Sequence, residues 1–505
     1  MSSNIQMIIA MAAYMLVVLA VGFYYGNKNK TSEDYFLGGR SLGPWVTAMS
    51  AEASDMSSWL LMGLPGTAYL TGFGDAGWTA IGLILGTWLN WQFISKRLRK
   101  YTEVCKNSFT IPDFFSNRFR DDKKILMTLS AIMMVIFFTV YTASGFKACG
   151  TLFETILGLP YLPTMIICSI VIILYTSIGG FLAASTTDLI QGLLMSFAIV
   201  IVLVMGINAA GSIGTIIEHG QSLDGYFSLL NTYDPATGKA ASYGVISMVS
   251  GLAWGLGYFG MPHILVRFMA ISSTKELKKS KSIAMIWVLI SLIVSVLIGF
   301  TGAAIYAGEL GGAGQASAET IFILMTVRLL PALIAGVVLS GILAATMSTS
   351  DSQLLMVSSS IAQNLYKGIF KKDATEKQIL IASRLSTVAV AVVGVIIAAD
   401  QNSSIFNIVS YAWSGFGAAF GPLVLFSLFW KRTTLKGAVA GMLSGGIVSL
   451  VWSLYISKLG GWFGVYSLLP AFVISSLFIV IVSLLDKEPS GEIQNEFDCV
   501  EKANI

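Results

Sequence analysis

The sequence predicts an all-α polytopic membrane protein, from its composition, its long apolar runs and the placement of its basic residues. Of 505 residues, 55% are hydrophobic and 11% are charged, whereas a soluble domain carries about 25% charged residues. A soluble chain could not bury so much apolar surface, but a bilayer accepts it. The 50 glycines agree, because glycine is commoner in membrane helices than in soluble ones.

The apolar runs indicate how often the chain crosses a bilayer, since a membrane helix needs about 20 apolar residues. No Lys or Arg precedes the first run, so we interpret it as a retained helix and not as a signal peptide. The count is thirteen crossings, at 5–26, 43–71, 76–95, 125–155, 161–179, 187–209, 240–262, 283–307, 330–362, 379–398, 404–429, 435–454 and 464–485.

The basic residues test this count, because loops on the cytoplasmic side are enriched in Lys and Arg. If the N-terminus lies outside, the outside loops hold only Lys239 and Lys458. All other basic residues fall inside, except Lys147, Arg328 and Arg384, which lie in or beside helices. The sequence therefore predicts an outside N-terminus and a cytoplasmic C-terminus, in the inner membrane of a bacterial cell.

Several chemical classes are excluded. No GxxxxGK[ST], GxSxG or HExxH motif occurs, so the sequence predicts no ATPase or hydrolase, no enzyme and no cofactor. The cysteines show no CxxC spacing, and the histidines are too few for a metal site. We expect a lipid bilayer and small solutes as partners, with no nucleic acid and no obligate protein partner. The cysteines are Cys105, Cys149, Cys168 and Cys499, and the histidines are His219 and His263.

Two runs contain helix breakers. The run 43–71 is longer than a crossing needs and contains Gly63, Pro65 and Gly66. The run 240–262 is interrupted by Gly251, Gly255, Gly257, Gly260 and Pro262. Broken helices at matching places in two halves indicate a transporter with inverted repeats. The predicted divisions are a leading helix and loop at 1–42, repeats at 43–209 and 210–429, trailing helices at 430–485 and a cytoplasmic tail at 486–505.

Asp55 lies at mid-depth of the first broken run. A carboxylate at a helix centre costs about 2.5–3.5 kcal/mol to insert, so it indicates function; the alternative is a structural carboxylate bonded to another helix. An unwound stretch 53–57 would offer carbonyl oxygens to a cation such as sodium. Ala345, Ser348 and Thr349 share one face of another helix, although such hydroxyls also bond to their own helix.

The other candidate residues leave alternatives open. Asp188, near the start of the sixth run and after an inside loop at 180–186, is either functional or an N-terminal helix carboxylate stabilised by the dipole. For His263, we favour a position at a helix end over a role as a proton relay. The aromatic residues are packing anchors or ligand contacts, since an aromatic face can cover a pyrrolidine ring or a cation. They are Tyr141, Trp254, Tyr258 and Trp413.

Several stretches together carry a family resemblance over nearly the whole chain. They are 34–44, 53–66, 174–183, 254–260, 344–349 and 410–422. With them the sequence resembles the sodium/solute symporter family, and most closely its branch that carries proline. The resemblance implies a LeuT-like core of five plus five helices, with one leading and two trailing helices. It also implies import of L-proline driven by inward sodium flow.

The resemblance also implies roles for individual residues. Sodium would be held by the backbone carbonyls of Ala53, Met56 and Ala345 and by the hydroxyls of Ser348 and Thr349. Asp55, Ser57 and Asp188 match positions tied to sodium use, and Asp188 is also assigned to coupling. Tyr141, Trp254, Tyr258 and Pro262 match positions around the substrate, where we also place Ser57. Arg40 matches a position of the inner gate.

The sequence departs from the proline-carrying pattern at two positions. Glu52 stands where a small residue is expected, and Met261 stands where an amide is expected. The alternatives are the same fold carrying pantothenate, a sugar or a sialic acid, a membrane sensor or scaffold, and a passive channel. A sensor would carry a large soluble output domain, for which the tail is too short.

Overall fold

The structure is a computed structural model that describes residues 2–26, 32–310 and 314–502. Almost all of the described chain is helical. The helices are α1 Ser3–Gly26, α2 Ser32–Leu37, α3 Pro44–Ser58, α4 Leu64–Thr71, α5 Phe73–Leu89, α6 Ser95–Val104, α7 Ile111–Arg118, α8 Ile125–Leu157, α9 Tyr161–Ala209, α10 Ile213–Ser222, α11 Val245–Ala253, α12 Pro262–Ala270, α13 Leu277–Ile305, α14 Gly314–Ala318, α15 Ile321–Leu329, α16 Ala332–Ser359, α17 Glu376–Ala398, α18 Ile405–Phe429, α19 Leu435–Val451, α20 Leu468–Leu485 and α21 Gly491–Lys502.

Shorter elements join these helices. A β-hairpin of β1 Asn231–Asp234 and β2 Lys239–Ser242 pairs antiparallel, with Asn231 opposite Ser242. Wider helical turns continue four of the helices, at Trp59–Gly63, Asn90–Ile94, Ser360–Phe370 and Trp452–Ile456. Tighter turns lie at Gly38–Arg40, Trp254–Gly260, Thr274–Glu276, Ser457–Leu459 and Gly461–Gly464.

The predicted membrane class is confirmed. In the described part of the chain, nine helices are long and apolar enough to cross a membrane, and Val245–Gly260 with Pro262–Ala270, bent by 45°, would form a tenth crossing. Each of the thirteen predicted runs overlaps a helix or a helix pair. The count of thirteen crossings and the repeat boundaries stay predictions. Two of the inside basic residues, Lys28 and Lys30, lie outside the described residues.

Both predicted helix breaks are present. Within the first broken run, Ser57 has φ 51° and ψ −171°, which interrupts the helical path beside Asp55. In the second, the tight turn Trp254–Gly260 ends at Met261, whose backbone is extended, and α12 begins at Pro262. Proline starts a helix readily because it lacks only an N–H that would have no partner there. The two breaks face each other, because Tyr258 contacts Asp55.

Two predicted boundaries are wrong, and the predicted tail contains a helix. No loop separates the fifth and sixth runs at 180–186: α9 is interrupted only at Gly180, where φ 68° and ψ −173° turn the chain within one residue. Glycine adopts that conformation without steric cost. Asp188 therefore lies inside α9, about two turns beyond the break, and not at a helix start. The seventh run continues past residue 262 to Ala270, and the tail forms α21.

Helix α3 lies at the centre of the bundle. It packs against α9, α16, α12 and α13, and α9 and α16 also pack against each other and against α1. From Thr47 to Ser58 every residue of α3 is buried, including Glu52 and Asp55. Buried polar groups are retained where they find partners or ligands. The partners of α3 therefore define the candidate site.

Candidate functional site

A small cavity lies at the break of α3. It holds about 10 Å³ of free space, so a solute needs the surrounding side chains to move before it can enter. The lining combines carboxylate, thioether and aromatic groups. It consists of Asp55, Met56, Trp59, Leu83, Tyr141, Trp254, Val409 and Trp413.

Asp55 is held from both sides of the cavity. Its carboxylate Oδ2 accepts a hydrogen bond from the Tyr258 hydroxyl at 2.7 Å, and its backbone carbonyl accepts one from the Tyr141 hydroxyl at 3.0 Å. The other carboxylate oxygen, Oδ1, is buried and has no hydrogen-bond partner among the described residues. The structure thus brings together three residues that lie on three separate helical segments.

The remaining predicted substrate residues lie around this centre. The Ser57 hydroxyl accepts a hydrogen bond from the Trp59 N–H at 3.1 Å, which stabilises the turn after the break. Pro262 is buried at the start of α12 but does not line the cavity. His263, beside it, packs edge-on against Tyr141 with ring centroids 6.4 Å apart.

An aromatic layer covers the cavity. The Trp254 ring lies 5.5 Å from Trp59, 5.3 Å from Phe406 and 5.4 Å from Tyr466 between centroids. The Trp413 indole N–H donates to the Trp254 carbonyl at 2.8 Å. We call Trp59, Trp254, Phe406 and Tyr466 the aromatic lid. Sequence reasoning missed three of them; Trp59 could have been found, because it follows Asp55 by one helical turn.

A larger cavity lies on the other side of the aromatic lid. Its volume is about 430 Å³, and most of its lining residues carry a polar side chain. Trp254 borders both cavities, so this ring separates them. The lining is Thr67, Thr71, Asp75, Thr79, Tyr243, Ser247, Ser250, Gly251, Trp254, Gln315, Phe406, Asn407, Ser410, Gly464 and Tyr466.

A cluster of oxygen atoms joins α3 to α16. The Ser348 hydroxyl lies 2.8 Å from the Ala53 carbonyl oxygen and 3.2 Å from the Ala345 carbonyl oxygen. The Thr349 hydroxyl is buried and has no protein partner. Ser348 therefore contacts both its own helix and the broken helix. Its position suits both the predicted cation site and the alternative bond to its own helix. Of the predicted sodium ligands, Met56 lines the cavity itself.

Asp188 takes part in a buried polar cluster. Its Oδ2 accepts from the Ser50 hydroxyl at 2.6 Å and from the Arg267 guanidinium at 3.2 Å. Arg267 also donates to Ser352 at 2.5 Å, so three helices besides its own meet there. Arg267 was assigned to an inside loop, and this is wrong: its side chain is fully buried in α12. The ion pair compensates the burial.

Arg40 lies away from the cavity, beside the end of α12. Its guanidinium donates to the Met269 carbonyl at 2.6 Å and to the Ser108 carbonyl at 2.8 Å. It also donates to the Asn107 side chain at 3.0 Å and lies 3.4 Å from the Thr102 hydroxyl. Arg40 thus ties the loop after α6 to the second half of the broken helix.

The two departures from the expected pattern are both buried. Glu52 accepts a hydrogen bond from the Trp91 indole N–H at 2.7 Å, which accounts for one of its carboxylate oxygens. Met261 is the extended residue between the tight turn and α12, and its side chain is fully buried. Neither side chain lines the cavity.

Known proteins resemble this chain over almost its whole length. The sodium/proline symporter of Escherichia coli strain K12 is 42% identical over 501 residues, with 98% of this chain and 96% of that protein covered. The high-affinity proline transporter PutP of Bacillus subtilis strain 168 is 44% identical over 481 residues, with 95% and 98% covered. The osmoregulated proline transporter OpuE of the same strain is 42% identical over 499 residues, with 99% of each covered.

Solved structures share the fold. A Na⁺-coupled sialic acid symporter in a substrate-bound outward-open state superposes with a TM-score of 0.78 at 21% identity, over 96% of this chain and 99% of that one. MhsT in complex with L-phenylalanine gives a TM-score of 0.52 at 15% identity, over 87% and 97%. The predicted LeuT-like helical fold is therefore confirmed.

The sequence pattern of the family described as "Sodium:solute symporter family" matches residues 35–445. That range contains α3 with its break, the aromatic turn before Met261, the oxygen cluster of α16 and the Arg40 contacts. The predicted resemblance is confirmed, and the chain is a transporter and not an enzyme. The chain belongs to the sodium:solute symporter family.

Proposed function

We propose that this protein imports L-proline by coupling it to inward sodium flow across a bacterial cell membrane. The observation that carries the proposal is the meeting of Asp55, Tyr141 and Tyr258 at the break of α3, beneath the aromatic lid. Relatives of about 42% identity that are named sodium/proline symporters support the same solute.

Proline would bind in the cavity at the break. Its apolar ring fits the faces of Trp254 and Trp413, and its cationic nitrogen is attracted by aromatic faces and by carboxylate or carbonyl oxygens. The free Oδ1 of Asp55 is one such oxygen. Because the cavity has so little free space, entry of proline from the outer cavity requires Trp254 to move.

Sodium would bind between α3 and α16. A sodium ion prefers oxygen ligands, and the Ala53 carbonyl, the Ala345 carbonyl and the Ser348 hydroxyl already converge within hydrogen-bond distance. The Thr349 hydroxyl and the Met56 carbonyl complete the proposed ligand set. The ion would fix α3 beside the break, and so prepare the proline site on the same segment.

The orientation follows from the loop charges. The N-terminus lies outside and the C-terminus inside, so the Arg40 contacts face the cytoplasm. The larger cavity faces the exterior, because its lining residue Tyr243 directly follows the hairpin β1–β2 that carries Lys239, an outside residue in that orientation. The structure then has a closed inner side, and the aromatic lid separates the proline site from the outer cavity.

The test is uptake of labelled proline into proteoliposomes with an imposed sodium gradient. We expect accumulation above the external concentration with sodium and none with potassium, which a passive channel cannot produce. Unlabelled pantothenate, sugars and sialic acid should not compete. Sodium-driven accumulation of one of those solutes, with no accumulation of proline, would contradict the proposed solute.

A further inference from the structure

The C-terminal helix α21 is docked on the rest of the molecule. Ile493, Phe497 and Val500 recur on one face of this helix and are 7%, 4% and 0% exposed. A polar tail without a binding surface has no reason to bury three apolar side chains. The helix therefore occupies a specific place on the inner side of the bundle.

Charged contacts fix the position of this helix. Glu492 and Glu496 lie 2.9 Å and 2.5 Å from the Arg120 guanidinium, and Asp498 lies 2.8 Å from Lys431. The hydrogen bond from Arg120 lowers the pKa of Glu492 below its usual range. That carboxylate therefore stays charged at neutral pH, and its share of the docking is lost only as the pH falls through the lowered value.

Phe497 inserts into a group of cationic and aromatic side chains. Its ring lies 4.9 Å from the Arg97 guanidinium, 5.7 Å from that of Arg118 and 6.3 Å from the Tyr101 ring. The Arg118 side chain is fully buried, and two of its three nitrogens have no hydrogen-bond partner. Aromatic faces stabilise such a cation. Removal of α21 would therefore expose this group to water.

A continuous path of hydrogen bonds links α21 to Arg40. Arg120, which pairs with Glu496, donates to the Asn117 carbonyl. The Asn117 side chain donates to the Ser108 hydroxyl at 2.9 Å, and the Ser108 carbonyl accepts from Arg40 at 2.8 Å. The loop that Arg40 binds is thus held from behind by the C-terminal helix.

We infer that α21 is a latch that positions the loop 105–110 for Arg40 and so stabilises closure of the inner side. Arg40 ties that loop to Met269, at the end of α12, which is the second half of the broken helix. Opening to the inside must break this contact. A docked α21 then favours the state in which the inner side is closed. An undocked α21 lowers the free-energy cost of opening the inner side. The inference rests on the proposed orientation and sodium coupling.

Cys105 is a natural reporter of this latch. It follows α6, is fully buried, and burial raises the pKa of its thiol to about 12. Both properties suppress reaction with a maleimide, which requires an accessible thiolate. In the parent chain, Ser replaces Cys149, Cys168 and Cys499, so that Cys105 is the thiol that is labelled. The parent also carries Glu492→Gln, so that the Arg120–Glu496 ion pair is tested alone.

The experiment measures labelling of Cys105 by a hydrophilic maleimide in inside-out vesicles, and the sodium concentration for half-maximal proline uptake. Arg120→Glu and Glu496→Arg should each raise the half-saturating sodium concentration by about threefold and speed labelling, Glu496→Arg by about tenfold and Arg120→Glu by less, because Glu496 raises and Arg120 lowers the pKa of the Cys105 thiol. The double change should restore both values in part, since the pair re-forms reversed but Glu at position 120 cannot donate to the Asn117 carbonyl. Glu309→Arg, which breaks an exposed pair to Arg328 at 2.8 Å elsewhere on the protein, should change neither.

Two outcomes would overturn the latch. Unchanged labelling in both single variants would show that the pair does not hold the helix. Faster labelling with unchanged sodium dependence would make α21 a structural brace without effect on the inner side. Labelling requires no transport, so a chain that carries another solute would still give the labelling result. Sodium without proline should slow the labelling of Cys105 in the parent chain.

Discussion

At the scale of single residues, Asp55 stands where the two proposed ligands meet. Its carboxylate binds Tyr258 and its carbonyl binds Tyr141, while Ala53, two residues earlier, offers its carbonyl to Ser348. Each ligand would order the same break of α3. Linkage then requires that sodium and proline raise each other's affinity by the same factor.

Asp55→Asn should weaken both ligands. The amide keeps the size of the side chain but removes the charge, and a hydrogen bond to a charged group contributes about 1.5–3 kcal/mol. We expect the half-saturating sodium concentration to rise by about tenfold or more, or uptake to be lost, at normal membrane expression. Sodium-dependent proline uptake measures this. Unchanged kinetics would remove Asp55 from the site.

Ser348→Ala and Thr349→Ala should each raise the sodium concentration for half-maximal uptake. Loss of one ligand hydroxyl costs about 1 kcal/mol, which corresponds to roughly fivefold, and the double change should cripple uptake. Ser340→Ala is the matched control, because its hydroxyl lies on the same helix and bonds only to the Gly336 carbonyl. Wild-type sodium dependence in the double variant would place the ion elsewhere.

Trp254→Ala should raise the half-saturating concentration of proline by about tenfold and that of sodium much less. The ring lines the cavity and forms the centre of the aromatic lid, whereas it does not touch the oxygen cluster of α16. Trp88→Ala removes an indole that is 44% exposed and serves as the control. Equal changes in both constants would assign Trp254 to folding and not to proline.

At the scale of elements, the two broken helices could be predicted because Gly, Pro and Ser mark them locally. The turn at Gly180 was predicted as a loop, since the polar residues that follow it resemble a linker. The burial of Arg267 could not be predicted, because the sequence does not show that Asp188, on another helix, pairs with its charge. Two members of the aromatic lid could not be predicted for the same reason: Phe406 and Tyr466 reach Trp254 only in the folded chain.

The Asp188–Arg267 pair should act as a structural unit as well as a coupling element. Both side chains are fully buried, so removing one partner leaves an uncompensated charge, at a cost of about 3–5 kcal/mol. Arg267→Met should lower the thermal stability of the detergent-solubilised protein, and the added change Asp188→Asn should restore much of it. Thermal unfolding monitored by size exclusion measures this. If the double variant did not recover thermal stability, a direct pairing of Asp188 with Arg267 would be contradicted.

At the scale of the whole molecule, the two ends of the bundle differ. One end carries the 430 Å³ cavity above the aromatic lid, and the other is closed by Arg40, Met269 and the docked α21. Transporters of this fold alternate access to a fixed central site by moving one group of helices against another. The asymmetry therefore identifies the side from which the site is reached, provided that the orientation in the membrane is known.

The orientation is a prediction that loop fusions can settle. Basic residues collect at the Arg40 end and, outside the helices, only Lys239 and Lys458 lie at the other. A green fluorescent fusion after residue 505 should be bright and a phosphatase fusion there inactive, because phosphatase folds only in an oxidising compartment. Phosphatase inserted after Ala236, in the tip of the hairpin β1–β2, should be active. The reverse pattern at both sites would invert the molecule and make the large cavity cytoplasmic, so that the structure would represent a state open towards the inside, although the inward sodium gradient would still drive import.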